Sequence, residues 1–157
     1  MGQEQWTRGR RLGIDVGSVR VGVAVCDPDG ILASPVATVA RDQRTESDET
    51  PSDISEILRY VGEYEAVEIV VGLPVNLAGK EGPAAALIRQ YADRLAEHAT
   101  PVPVVLTDER MSTVAAARRL SERGVRGRRQ RAVVDQAAAV EILQGWLDAR
   151  RAGAVRG

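Results

Sequence analysis

Phenylalanine is absent, and two tryptophans and three tyrosines are the only aromatic residues. Stacking of bases on exposed rings is therefore a minor part of anything this chain does, and Trp146 reads as core. Lys80 is the only lysine, so an arginine bias must be weighed before any basic run is read as a binding patch. Cys26 is the only cysteine. It excludes an internal disulfide, reads as a buried strand residue and fits a reducing compartment, so a cytoplasmic location is expected. His98 is the only histidine. It lies near a predicted helix end, remote in sequence from the acids considered below, and reads as a surface residue rather than a catalytic base. No apolar run is long enough to span a bilayer. Met1–Thr7 is polar and lacks an apolar signal core, so no membrane partner is expected.

What remains is an ordinary globular composition: 157 residues, about one domain, with 44% apolar content. The net charge of −1 excludes a general polycation. Charge is segregated instead. Arg41–Glu56 carries six acids against two arginines, and Arg118–Arg131 carries seven arginines against the single acid Glu122. The second run is a local basic patch of the kind that holds phosphate. The alternative is a solvated loop in an arginine-rich chain.

Residues 1–10 read as a loose tail, 11–150 as one domain and 151–157 as a C-terminal tail. Arg11–Val16, Arg20–Cys26 and Ile31–Val39 read as strands, the last two joined by the turn Asp27-Pro28-Asp29-Gly30. Ala40–Ser52 is a polar loop. Ser52 or Asp53 caps a helix whose Ile54, Ile57, Leu58 and Val61 keep helical spacing. Glu68–Leu73 is a short apolar strand of the kind buried on both faces. After the loop 74–82, Pro83 opens a helix with the stripe Leu87, Ile88, Tyr91 and Leu95. Pro103–Thr107 is a strand, and Ser112 or Thr113 caps a helix to about Arg123. Gly124–Arg131 is a basic loop, and Ala132–Arg150 a final helix. The order β-β-β-α-β-α-β-α-α predicts an α/β fold. Its mixed five-stranded sheet has three antiparallel strands first and helices on both faces.

In this architecture the first strand is central, and Asp15 lies at its carboxyl end, where open α/β sheets place ligands. Apolar Leu12, Ile14 and Val16 surround it, and Gly17-Ser18 turns the chain into Arg20–Val25. A carboxylate there is costly to bury without a partner, and a divalent cation is one such partner. A hairpin acid that accepts backbone hydrogen bonds is the plainer alternative. Two further acids stand at convergent ends. Glu109, in Thr107-Asp108-Glu109-Arg110, follows the last strand; as a plain loop acid it would pair with Arg110. Asp135, in Val134-Asp135-Gln136, shares a helix face with Ala138 and Ala139; alternatively, it is a first-turn acid favoured by the helix dipole.

The whole pattern resembles the YqgF/RuvX family of pre-16S rRNA nucleases, within the ribonuclease H-like superfold and related to RuvC-type Holliday junction resolvases. Five segments spread over about Arg11–Arg150 carry the likeness: Gly13-Ile14-Asp15-Val16-Gly17; Arg20-Val21-Gly22-Val23-Ala24; Val71-Gly72-Leu73-Pro74 with Asn76 and Gly79; Asp108-Glu109-Arg110 with Ser112-Thr113; and Val134-Asp135 with Ala137–Ala139. Each is weak alone, and their order and spacing together are specific. The resemblance implies that Asp15, Glu109 and Asp135 form the acidic triad. Val19 stands where the family usually has lysine, so one phosphate-facing charge is missing.

The chemistry expected from such a triad is hydrolysis of a phosphodiester. Clustered carboxylates repel, and Mg2+ or Mn2+ neutralises them and activates water. Arg20, Asn76, Arg110, Arg126, Arg128 and Arg129 are the expected nucleic-acid contacts, with Arg131 in the same run. A turn-forming role is the alternative for Asn76. The resemblance implies processing of the 5′ end of pre-16S rRNA in ribosome biogenesis, with ribosomal particles as a further partner. A junction resolvase acting on branched DNA and a non-catalytic nucleic-acid-binding module of ribosome-associated type are the alternatives. A two-domain phosphotransferase related to actin is disfavoured by length.

Overall fold

The computed structural model describes residues 6–43, 49–76, 78–111 and 128–156. The strands are β1 (Arg11–Val16), β2 (Arg20–Cys26), β3 (Ala33–Ala40), β4 (Glu68–Leu73) and β5 (Val104–Asp108). The helices are α1 (Ser52–Tyr64), α2 (Pro83–Ala99) and α3 (Arg128–Arg156), with a 3-10 turn at Glu109–Met111. The sheet order is β3-β2-β1-β4-β5. β1 pairs antiparallel with β2 and parallel with β4, and β5 is parallel to β4. The mixed five-stranded α/β sheet with β1 at its centre is as the sequence predicts.

Strand alternation divides the core in two. Leu12, Ile14, Val21, Val23, Ile69 and Val71 point to one face and pack with Ile54, Ile57, Ile88 and Leu95 of α1 and α2. Ala24, Cys26 and Val70 point to the other and meet Ala138, Ala139, Ile142, Leu143 and Leu147 of α3. Small residues bring α3 close to the sheet. A Cβ on Gly13 would lie 2.6 Å from Leu143 Cβ, and one on Gly22 only 2.0 Å from the Asp135 carbonyl oxygen.

Several boundaries differ from expectation. β3 begins at Ala33 because Asp27 accepts hydrogen bonds from the Asp29, Ile31 and Leu32 amides, which keeps Ile31 and Leu32 in the turn. The N-cap of α1 is Pro51, with no side-chain cap; Asp53 is buried within the first turn instead. α3 is already helical at Arg128, so Arg128, Arg129 and Arg131 lie on a helix rather than in a loop. Arg126 and the expected helix from Ser112 to Arg123 lie outside the described residues. In the expected N-terminal tail, Trp6 Nε1 donates to the Pro28 carbonyl at 3.0 Å, and the Thr7 and Gly9 carbonyls accept from the buried Arg11 guanidinium. Cys26 is buried, as expected, and burial pushes its thiol pKa up. His98 is exposed in the last turn of α2. Trp146 packs against the α3-side core, 6.5 Å from the Trp6 ring.

Candidate active site

The site grows from one row across the sheet, on the face covered by α3. Gly22 of β2 is the cross-strand partner of Asp15 on β1. Register between β1 and β4 pairs Ile14 with Val71, so Asp15 and Gly72 come next, side by side. Gly72 pairs in turn with Thr107 of β5. Residues opposite one another project to the same face. Asp15 therefore projects toward α3 between two glycines.

Those glycines leave the space that the other two acids use. The Cβ position on Gly22 abuts the Asp135 backbone, and that on Gly72 lies 3.3 Å from Glu109 Cγ and 2.5 Å from Ile142 Cδ1. Glycine inside a strand commonly marks such a close approach. Asp15 is 3% exposed and Glu109 8%, two carboxylates buried in the same row as Thr107. Glu109 reaches it because the 3-10 turn begins directly after β5.

The third acid is at the same level but is occupied. Asp135 Oδ2 accepts a hydrogen bond from Arg20 Nε at 2.6 Å. It lies seven residues into the described helix, which removes the first-turn dipole explanation. Arg20, expected to face phosphate, holds a carboxylate here. Among the described residues, no three His, Cys, Asp or Glu side chains stand close enough to hold a metal ion in this arrangement. Asp15 and Glu109 supply buried carboxylates of the hard-oxygen kind that a divalent cation takes, while the Asp135 carboxylate is held by Arg20.

Arg110 does not pair with Glu109. Its guanidinium grips Asp108 through Nε and Nη2, at 2.9 and 2.7 Å to Oδ2, and holds that carboxyl below the usual range. The same guanidinium lies 3.8 Å from the Cβ position of Gly79, so the 74–82 loop borders the site. Asn76 organises that loop: its Oδ1 accepts from the Ala78 and Lys80 amides, both at 2.9 Å. The backbone of Arg128, Arg129 and Arg131 lies within two helical turns before Asp135.

Sequence reasoning misses the support beneath the β1–β2 turn. Arg41 Nη1 donates to the Gly17 carbonyl at 2.8 Å, and its Nε lies 3.4 Å from Asp53 Oδ2. Tyr91 donates to the same carboxylate at 3.2 Å, and its ring lies under the Arg41 guanidinium. Burial and the Asp53 charge raise the Tyr91 pKa strongly. The signal in the sequence is an acid, Asp53, on the apolar side of a helix, where a cap is the simpler reading.

Comparison with known proteins adds an independent line. The profile of the RuvX family, described as Holliday junction resolvase, matches residues 9–149. A Rhodococcus erythropolis protein named "Putative pre-16S rRNA nuclease" is 58% identical over 91% of this chain and 80% of its own length. One of the same name from Nocardia farcinica is 57% identical over 92% of this chain and 81% of its own. Among solved structures, T. thermophilus RuvC in complex with a Holliday junction substrate superposes with a TM-score of 0.53 at 16% identity. That match covers 91% of this chain and 96% of RuvC, and it bears on the fold alone.

Proposed function

The chain belongs to the RuvX family, and on that premise we propose that it is a metal-dependent phosphodiester hydrolase that processes the 5′ end of pre-16S rRNA. The observation that supports this reading is the row Gly22, Asp15, Gly72, where the Asp135 backbone stands beside Gly22 and Glu109 Cγ beside Gly72, on either side of the buried Asp15. Asp15 and Glu109 are buried carboxylates, the hard-oxygen donors that a divalent cation takes. Asp15, Glu109 and Asp135 would hold Mg2+ or Mn2+. When bound, such an ion lowers the pKa of water and offsets charge on the phosphate. Arg110 borders the site beside the Asn76 loop, and with Arg20, Arg126, Arg128 and Arg129 it would hold the substrate backbone rather than read bases. The proposed setting is the cytoplasm, on ribosomal particles; no described helix is long and apolar enough to cross a membrane.

The family description favours a second reading, cleavage of four-way DNA junctions. One experiment separates the two. Purified protein is incubated with 5′-extended 16S rRNA precursor or with a synthetic four-way junction, in Mg2+, Mn2+ or chelator. The proposal expects cleavage of the precursor with metal only, and none by Asp15→Asn. Cleavage confined to the junction would move the assignment to a resolvase. Binding of both substrates with cleavage of neither would make the protein a nucleic-acid-binding module.

A further inference from the structure

We propose that Arg41 is a positioning residue for the acidic site: anchored on Asp53, it sets the β1–β2 turn from the opposite face of the sheet and thereby fixes the backbone at Asp15. This rests on the hydrolase reading above. The β1–β2 ladder pairs Asp15 with Gly22 and Val16 with Val21, and runs straight into the turn. There the Gly17 amide donates to the Arg20 carbonyl at 2.9 Å. A Cβ on Gly17 would lie 2.7 Å from that same oxygen, so the turn closes as tightly as a glycine allows. Whatever holds the turn therefore holds the end of β1.

Arg41 holds it at two points. Its amide donates to the Val19 carbonyl and its Nη1 to the Gly17 carbonyl, both at 2.8 Å. The guanidinium is fixed in turn by α1 and α2. Its Cζ stands 4.9 Å from the centroid of the Tyr91 ring, and its Nε 3.4 Å from Asp53 Oδ2. Asp53 and Tyr91 are both buried, and the Tyr91 hydroxyl donates to the same Oδ2 at 3.2 Å. Tyr91 belongs to the core layer of Leu12, Ile14 and Val21, the face away from α3. The two contacts of the guanidinium differ in kind. Nε is buried and makes no hydrogen bond among the described residues, so its tie to Asp53 is one of charge. The directed bond goes to Gly17. A buried carboxylate that loses its cation destabilises the fold, so stability alone asks only for the first contact. The planar fork of arginine serves carboxylate and carbonyl together, and a point ammonium does not replace it.

Arg41→Lys separates the two contacts: it keeps a positive charge for Asp53 and gives up the fork that reaches Gly17. The test follows the intact, 15N-labelled protein by melting temperature, by amide hydrogen exchange and the Asp15 amide shift, and by cleavage of 5′-extended 16S rRNA precursor in Mg2+. The proposal expects the Gly17 amide to exchange about tenfold faster, the effect of one lost hydrogen bond. The Asp15 amide should shift, while exchange at Ile14 and Val71 and the melting temperature stay close to the parent. The kcat should fall about tenfold or more with KM little changed, because misplacement at the reacting groups costs turnover. Asp53→Asn, which unties the guanidinium without altering Arg41, should act in the same direction, and it takes over the test if Arg41→Lys does not fold. Parent values of Gly17 exchange and kcat overturn the proposal. So does faster Gly17 exchange with unchanged kcat, which confines Arg41 to the turn. Uniformly faster exchange across the sheet, with kcat falling only as the melting temperature falls, makes Arg41 a stability residue and also overturns it. If the parent itself cleaves nothing, the hydrolase reading falls. The Gly17 exchange and the Asp15 shift, read without substrate or metal, then still decide whether Arg41 sets the turn.

Discussion

At the scale of single residues, the site depends as much on missing side chains as on the acids. Gly22→Ala would drive a Cβ to 2.0 Å from the Asp135 carbonyl oxygen, a backbone atom that moves only if α3 moves. Gly72→Ala would meet Ile142 Cδ1 at 2.5 Å, the tip of a flexible side chain. We expect Gly22→Ala to cost about 3 kcal/mol and Gly72→Ala about 1 kcal/mol, by urea unfolding. Equal costs would mean that α3 yields freely. Asp15→Asn has the opposite sign. Asp15 is 3% exposed with Glu109, 8% exposed, over the adjacent strand, and an amide at position 15 keeps the side chain's shape while lowering the cost of burying its charge. Cleavage should fall to background while the melting temperature in chelator stays equal or rises. A large drop in melting temperature would show that the contacts Asp15 makes within the protein outweigh the cost of burying its charge.

At the scale of elements, turns set where strands begin and which side chains reach the site. The β2–β3 turn depends on Asp27, whose carboxylate accepts from the Asp29, Ile31 and Leu32 amides. Burial pulls its pKa upward, but those amides outweigh it and the net shift is below the ordinary 3.8. A depressed carboxylate adds stability above its unfolded pKa and loses it as pH falls through the folded one. Asp27→Ala should therefore cost about 1 kcal/mol at neutral pH, and the gap to the parent should close in acid below 3.8. A gap that persists in acid would assign the loss to turn conformation rather than to the ionised carboxylate. The same turn explains why Ile31 and Leu32, apolar and read as strand, are 58% and 64% exposed. Local hydrogen bonding by one aspartate outweighs β propensity there. Asp53 is the converse: a residue type suited to capping is buried because Arg41 and Tyr91 satisfy it from distant parts of the chain.

At the scale of the whole molecule, period-2 and period-3.6 patterns specify the sheet, its order and the edge where Asp15 lies, because they record burial directly. Partner choice is not legible in the same way. Nothing local in Thr107-Asp108-Glu109-Arg110 says that Arg110 takes Asp108 and leaves Glu109 to the sheet face. Nothing in Arg20 says that it meets a carboxylate 115 residues away. The start of α3 is hidden for a related reason: glycine and arginine crowding at Gly124–Arg131 looks like loop, although arginine is a good helix former. That correction sharpens the expectation for the basic run. Arg128, Arg129 and Arg131 lie on helical backbone, so alanine preserves the helix. Replacing them together with Arg126 tests the phosphate contacts. For every arginine that does hold a phosphate, its removal should flatten the log–log salt dependence of nucleic-acid binding by about 0.7 to 0.9. Affinity should weaken for RNA of any sequence, while Mg2+ affinity and melting temperature stay close to the parent. Unchanged affinity and salt slope in the fourfold variant would make the run a solvated face and put the substrate path along Arg110 and the Asn76 loop.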